Sequence, residues 1–392
     1  MPTSPPDPAE VASFTARAPS LLLEHGRRLC EEGRCREALA CFEQALRQRP
    51  ADPELLFWCG QEQLHLAEYG QAEQRLLQAW RAHPGLVGCV RLLARVWLQH
   101  LDRPDLAAEL IAEARQLHPT HPGLLKSDGD LRLALHEPEQ AALLFEQVLR
   151  QDPEDEEARD GLATAYNERA FELQRLGQIE EAIFLLRRAL GITPGWAGLR
   201  VNLGQLFLLL GRTKAAEKEF LQAVAQDERD PIACFNLARL YRQQGQADLA
   251  QSWFGRTLAL DDDYPDARPE LASLLYEQGD HEAAAALLQE EVARDATCPI
   301  CHHNLGLALL GQGEPEAARR HLERSLALDP SYFRARYNLA ALLARAGAGA
   351  EALVQLEEAF RLDPATTREW LRLDRADFGE LAEHPRLHEL ID

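Results

Sequence analysis

The sequence predicts an all-α solenoid built from about ten helix–turn–helix units. Three observations carry this expectation. Apolar residues recur at spacings of three and four, the period of one helix face. Gly177, Gly211, Gly245, Gly279, Gly313 and Gly347 stand 34 residues apart, and self-similarity at such a period marks stacked supersecondary units. Pro19, Pro53, Pro122, Pro231, Pro265 and Pro299 fall where a unit would begin its first helix. The first helical residue has no intrahelical use for its N–H, so proline suits that place.

The stretch Ala197–Asp230 shows the unit most plainly. One helical pattern runs to about Leu210, Gly211-Arg212-Thr213 breaks it, and a second runs from about Lys214 to Gln226. Leu203, Gly204, Phe207, Ala216, Phe220 and Ala223 occupy its large and small packing positions. In these residues the stretch resembles a tetratricopeptide repeat, with Arg200 and Glu228 departing from the family pattern. The resemblance implies a right-handed α-solenoid that holds partner segments in a concave groove, without catalysis.

The units are expected in order. Residues 1–18 are a proline-rich leader expected to be disordered. Residues 19–155 hold repeats one to four, the third with an extra residue near Leu101-Asp102-Arg103-Pro104. Residues 156–366 hold repeats five to ten. There the phase jumps by seven residues, 156–162, about two helical turns, so the first helix of repeat five is expected to be longer and to project past its neighbours. Gly33, Gly177, Gly211, Gly245, Gly279, Gly313 and Gly347 occupy the turn between the two helices of their units, where glycine can end the first helix in a left-handed conformation. Asp52 and Asp230 are N-cap candidates. Residues 367–392 are a capping helix and tail, expected to fold back on the last repeat.

The formal net charge of −21 argues against nucleic acid as a partner, since phosphates need a basic footprint. The partner expected is a protein or peptide, neutral or basic. No segment reaches the roughly 18 apolar residues of a membrane span, and no secretory signal is visible. A cytoplasmic location is expected, with all eight cysteines reduced. No phosphate loop, dinucleotide glycine pattern, zinc-protease histidine pair or nucleophile elbow is found. No catalytic residue and no cofactor are therefore assigned.

One motif carries chemistry. Cys298-Pro299-Ile300-Cys301-His302 has the form of a covalent haem attachment site. It also admits thiol redox chemistry, with Cys298 as N-cap and Cys301 in the first turn of a helix. A third reading is zinc held by Cys298, Cys301 and His302, with His281 as a fourth ligand. A haem or thiol redox protein is thus the alternative to a scaffold. A regulatory subunit of a separate enzyme is another.

The resemblance also names groove positions on each first helix: Phe57, Trp58, Arg95, Lys126, Phe171, Asn202, Gln205, Leu208, Leu209, Asn236, Arg239, Asn304 and Asn338. Asn202, Asn236, Asn304 and Asn338 form a row interrupted at Glu270. Amides there can donate to and accept from an extended peptide backbone. Arg91, Arg95 and Lys126 make a basic spot on an otherwise acidic chain. Further apolar positions expected in the groove are Leu64, Leu92, Leu98, Val201, Phe235 and Tyr337.

Overall fold

The computed structural model describes residues 19–391, and the leader of residues 1–18 lies outside them. Among the described residues every element is helical. The chain divides at 206/207 into two compact units, each described by itself. The first contains α1 (Pro19–Glu31), α2 (Cys35–Gln48), α3 (Pro53–His65), α4 (Tyr69–Ala82), α5 (Val87–Gln99) and α6 (Pro104–Leu117). It continues through α7 (Pro122–Ala134), α8 (Pro138–Gln151), α9 (Glu156–Arg175), α10 (Ile179–Ile192) and most of α11 (Ala197–Leu209). The second holds α12 (Thr213–Gln226), α13 (Pro231–Gln243), α14 (Ala247–Leu260), α15 (Ala267–Glu277) and α16 (His281–Arg294). After these come α17 (Pro299–Gly311), α18 (Pro315–Leu328), α19 (Phe333–Arg345), α20 (Gly349–Leu362) and α21 (Pro364–Leu373). A 3-10 segment (Arg375–Glu383) and α22 (Pro385–Ile391) end the chain. No helix among the described residues is long and apolar enough to cross a membrane.

Within each unit neighbouring helices pack against each other, and several pairs interlock a large side chain with a glycine. Phe42 on α2 and Phe145 on α8 are fully buried. A Cβ on Gly26 would lie 2.3 Å from the Phe42 ring, and one on Gly129 would lie 2.6 Å from Phe145. These two glycines let α1 and α7 sit directly on the phenyl rings of α2 and α8. Hydrogen bonds tie successive pairs together at a repeating register. Trp97 Nε1 donates to Glu73 Oε1 at 2.7 Å, and Tyr241 Oη donates to Glu217 Oε1 at 2.8 Å. Both partners stand 24 residues apart, so this is a feature of the repeat itself.

Caps and turns follow the local sequence. Asp52 accepts from the backbone N–H of Glu54 and Leu55, and Asp230 from that of Ile232. Gly33, Gly177, Gly211, Gly245, Gly279, Gly313 and Gly347 all have positive φ, between 68° and 86°. Repeats two to four place Ala67, Asp102 and His136 there instead, at φ 60°, 50° and 58°. A side chain in this region costs about 1–2 kcal/mol. Ala67→Gly is therefore expected to raise stability by about 0.5–1 kcal/mol, after the extra entropy glycine loses on folding. The midpoint of urea denaturation measures this, and a lower midpoint would refute the assignment of strain.

Three sequence expectations need correction. Pro265 does not open a helix: α15 begins at Ala267, and Asp266 before it has φ 64°. The cause is tertiary. Arg268 is buried and pairs with Asp262 and Glu291, while Asp262 also pairs with Arg294. Holding Asp262 in that position fixes the approach to the helix. Second, the first turns of the 20-residue α9 do not project. Asp155 caps them through the Ala158 N–H at 2.8 Å, Ala158 and Leu162 are buried, and Gly161 faces Phe145. Third, Val201, Phe235 and Tyr337 are core residues rather than groove residues.

Tyr337 shows how the carboxyl end closes. Trp370 and Phe378 pack on its ring at centroid distances of 5.1 and 5.6 Å, and its hydroxyl donates to Asp374 at 3.1 Å. Phe378 and Leu387 are fully buried. The tail gives the last pair the covered face that the next repeat would otherwise supply.

Candidate functional site

A recess of about 720 Å³ opens on the first unit. Its walls are the first helices of four successive pairs, α3, α5, α7 and α9. Phe57, Leu92, Leu98 and Leu133 supply apolar surface, and Arg91, Arg95, Lys126, Asp130, Glu157 and Glu168 supply charge. Three of the residues named from the sequence, Phe57, Arg95 and Lys126, come together here.

Two of the three cations are neutralised. Arg91 pairs with Glu157 at 3.0 Å, and Lys126 pairs with Asp155 at 2.9 Å and also with Glu157. Burial pulls the Lys126 pKa down, but its hydrogen bonds to Glu157 and Asp155 outweigh this and hold it above the ordinary lysine value. Arg95 is exposed and has no ion-pair partner among the described residues. The Asp130 carboxyl opens onto the recess, yet the surrounding protein displaces enough water to push its pKa up to about 6. Glu157 adds to that shift, while Arg91 and Lys126 oppose it. Burial also raises Glu168. The recess therefore offers one guanidinium with no ion pair among the described residues, beside two carboxyls that burial makes harder to ionise.

The remaining predicted groove residues are dispersed. Trp58 lies outside the recess, stacked on Phe42 at 5.9 Å with the Arg27 guanidinium over its ring. Phe171, 45% exposed, and Asn202 border a shallow depression with Asn167. Gln205 and Leu208 are half-buried, and Leu209 is exposed. Arg239 is exposed, with its guanidinium 5.9 Å from the Phe235 ring.

The asparagine row is not open. Asn202 Nδ2 donates to Asn167 Oδ1 at 2.8 Å. Asn236 is buried and donates to the Ile232 carbonyl at 2.8 Å, which corrects its placement in the groove. Asn304 and Asn338 meet on one imidazole. His303 Nδ1 lies 2.9 Å from Asn304 Oδ1, and Asn338 Nδ2 lies 2.8 Å from His303 Nε2. That arrangement fits a neutral ring with its proton on Nδ1. These amides serve the fold first.

The cysteine motif is also revised. Cys298 and Cys301 are joined by a disulfide, so the expectation of eight reduced cysteines fails for this pair. The cause is local: N-cap and first-turn residues stand 5.3 Å apart at Cα, within disulfide reach. Sulfurs bonded to each other are committed to neither a thioether nor a metal. His302 is turned away to the Ala296 carbonyl and to His321, whose Nδ1 lies 3.0 Å from its own. The proposed fourth ligand, His281, faces Gly311 at the other end of α17. No group of three or more metal-ligating side chains is assembled among the described residues. His321 was missed because it is brought in by the next helix, 19 residues away.

Models of the tetratricopeptide repeat match residues 23–87, 128–195, 235–297 and 303–365, and a second such model matches 173–237. The chain is 32% identical over 129 residues to human (Homo sapiens) tetratricopeptide repeat protein 16, covering 32% of this chain and 15% of that protein. It is 32% identical over 220 residues to cellulose synthase operon protein C of Xanthomonas axonopodis pv. citri (strain 306), covering 54% of this chain and 14% of that protein. It therefore spans a small part of these relatives' length. Among solved structures it is similar to yeast Tom70, at 14% identity and TM-score 0.41 over 95% of this chain and 98% of that one. It is also similar to YrrB, described as a TPR protein with an unusual peptide-binding site, at 19% identity and TM-score 0.40 over 46% and 93%. The matched segments together cover more than half of the sequence, and the chain belongs to the tetratricopeptide repeat family.

Proposed function

We propose that this chain is a non-catalytic interaction scaffold that takes an extended segment of a partner protein into the recess of α3, α5, α7 and α9. The observation that supports this reading is Arg95, a guanidinium with no ion pair among the described residues, set among apolar side chains in a concave site. An arginine that a partner would desolvate beside aromatic and aliphatic surface is the usual composition of an interface hot spot. Phe57, Leu92 and Leu98 receive an apolar side chain, and Arg95 binds a backbone carbonyl or a carboxylate of the segment. Asp130 and Glu168, with the net charge of −21, favour a segment that is otherwise neutral or basic.

The test is selection of a displayed peptide library on the whole chain, followed by affinity measurement on variants. Peptides selected on the unmodified protein are expected to bind Arg95→Glu at least about tenfold more weakly, since one hot spot is worth about 2 kcal/mol. Phe184→Ser, an exposed position on α10 outside the recess, is expected to leave affinity unchanged. Equal binding to Arg95→Glu and the parent would refute the recess as the site.

A further inference from the structure

The eight cysteines fall into two chemical groups. Cys41, Cys59, Cys89 and Cys234 are buried, and Cys30 and Cys35 are partly so. Burial pushes the Cys59 and Cys89 thiols up to about 12, and burial with a hydrogen bond to Glu62 does the same for Cys30. Thiols held protonated in this way are poor nucleophiles. Cys298 and Cys301 stand apart. They are bonded to each other across the start of α17, and their surroundings are asymmetric. Cys301 is buried, at 2% exposure, whereas Cys298 is partly open to solvent. Ile300 between them is 52% exposed and gives the open side an apolar surface. Cys298 Sγ already accepts the Cys301 backbone N–H at 3.1 Å, so a negative sulfur formed there meets the positive end of the helix.

We propose that Cys298 and Cys301 form a reversible thiol–disulfide exchange site, with Cys298 the sulfur that exchanges with an external dithiol and Cys301 the internal leaving sulfur. An incoming thiolate bonds to Cys298 Sγ, the Cys298–Cys301 bond breaks, and Cys301 leaves with the electron pair and takes up a proton. The second thiol of the dithiol then attacks the mixed disulfide and releases Cys298. Two electrons and two protons pass from the dithiol to the protein, and the reductant departs as its own disulfide. Reversal oxidises the pair at the expense of a partner disulfide. This site lies in the second unit and is independent of the peptide recess.

The experiment uses the full chain without denaturant and dithiothreitol as the dithiol. After reduction and alkylation, the peptide spanning 298–301 is expected to carry a label on each sulfur. Transfer to oxidised dithiothreitol is expected to close the pair again, with the helical circular dichroism unchanged throughout. In single variants, the thiol left by Cys301→Ser is expected to react with a disulfide reagent at least about tenfold faster than the thiol left by Cys298→Ser. A pair that opens only in denaturant, that does not re-close, or whose two sulfurs react equally would overturn the proposal. Should either variant fail to fold, limiting alkylation of the reduced parent decides: first label on Cys298 supports the assignment, and equal or preferential label on Cys301 refutes it.

Discussion

Replacing Phe145 by alanine is expected to cost about 3–5 kcal/mol, the usual range for emptying a buried aromatic site. The ring is fully buried, and its environment cannot close over the loss. Cβ atoms on Gly129 of α7 and Gly161 of α9 would lie 2.6 and 2.5 Å from it. The phenyl group therefore occupies the space of two missing side chains, and on those two sides it faces helix backbone. Neighbouring residues have no side chain at those points to swing into the void. The reverse change has the opposite defect: Gly161→Val overpacks the same contact and is expected to cost about 1–3 kcal/mol. Chemical denaturation of the two variants against the parent measures both. A loss below about 1 kcal/mol for Phe145→Ala would mean that α7 and α9 collapse onto α8, contrary to the interlocked packing.

The same residues show which parts of the structure the sequence exposes. Helix ends are local, so Asp52, Asp230 and the turn glycines could be placed from their neighbours alone. The start of α15 could not, because Arg268 draws on Asp262 before it and on Glu291, 23 residues beyond. Gly161 belongs to the stretch where the phase jumps, and period counting left it without a partner; Phe145 supplies one from the preceding helix. In the recess, Arg91, Arg95 and Lys126 were visible as a basic spot. What distinguishes Arg95 was not, since the acids that neutralise the other two, Asp155 and Glu157, come from the start of α9. The row of asparagines was legible as a row, but its use is set by His303, whose ring sits between two of them. Spacing brought Cys298 and Cys301 within reach; the burial that makes them unequal depends on packing that the motif does not contain.

His303 should make the protein lose stability in mild acid. Its ring is buried, and burial lowers its pKa from 6.5 to about 4, with Arg334 acting in the same direction and the Asn304 hydrogen bond opposing. In the unfolded chain the ring takes up a proton near 6.5, whereas the folded protein resists until about 4. Between those values the unfolded state binds more protons, so stability rises with pH across the window. The contribution is complete above about pH 6.5 and is lost as pH falls towards 4, to a total of roughly 3 kcal/mol. His321 acts with the same sign, because burial and the neighbouring His302 and Arg320 also lower its pKa. Protonating His303 also removes the acceptor that Asn338 uses on Nε2, so acid weakens the link between α17 and α19 as well as charging a buried ring. Carboxylates titrate in the lower part of this window, and the difference between parent and His303→Gln isolates the imidazole. Urea denaturation at pH 7.5 and 4.5 is expected to show the parent losing roughly 2–3 kcal/mol more than His303→Gln. Equal losses in the two proteins would mean that the imidazole reaches solvent and is protonated in the folded state.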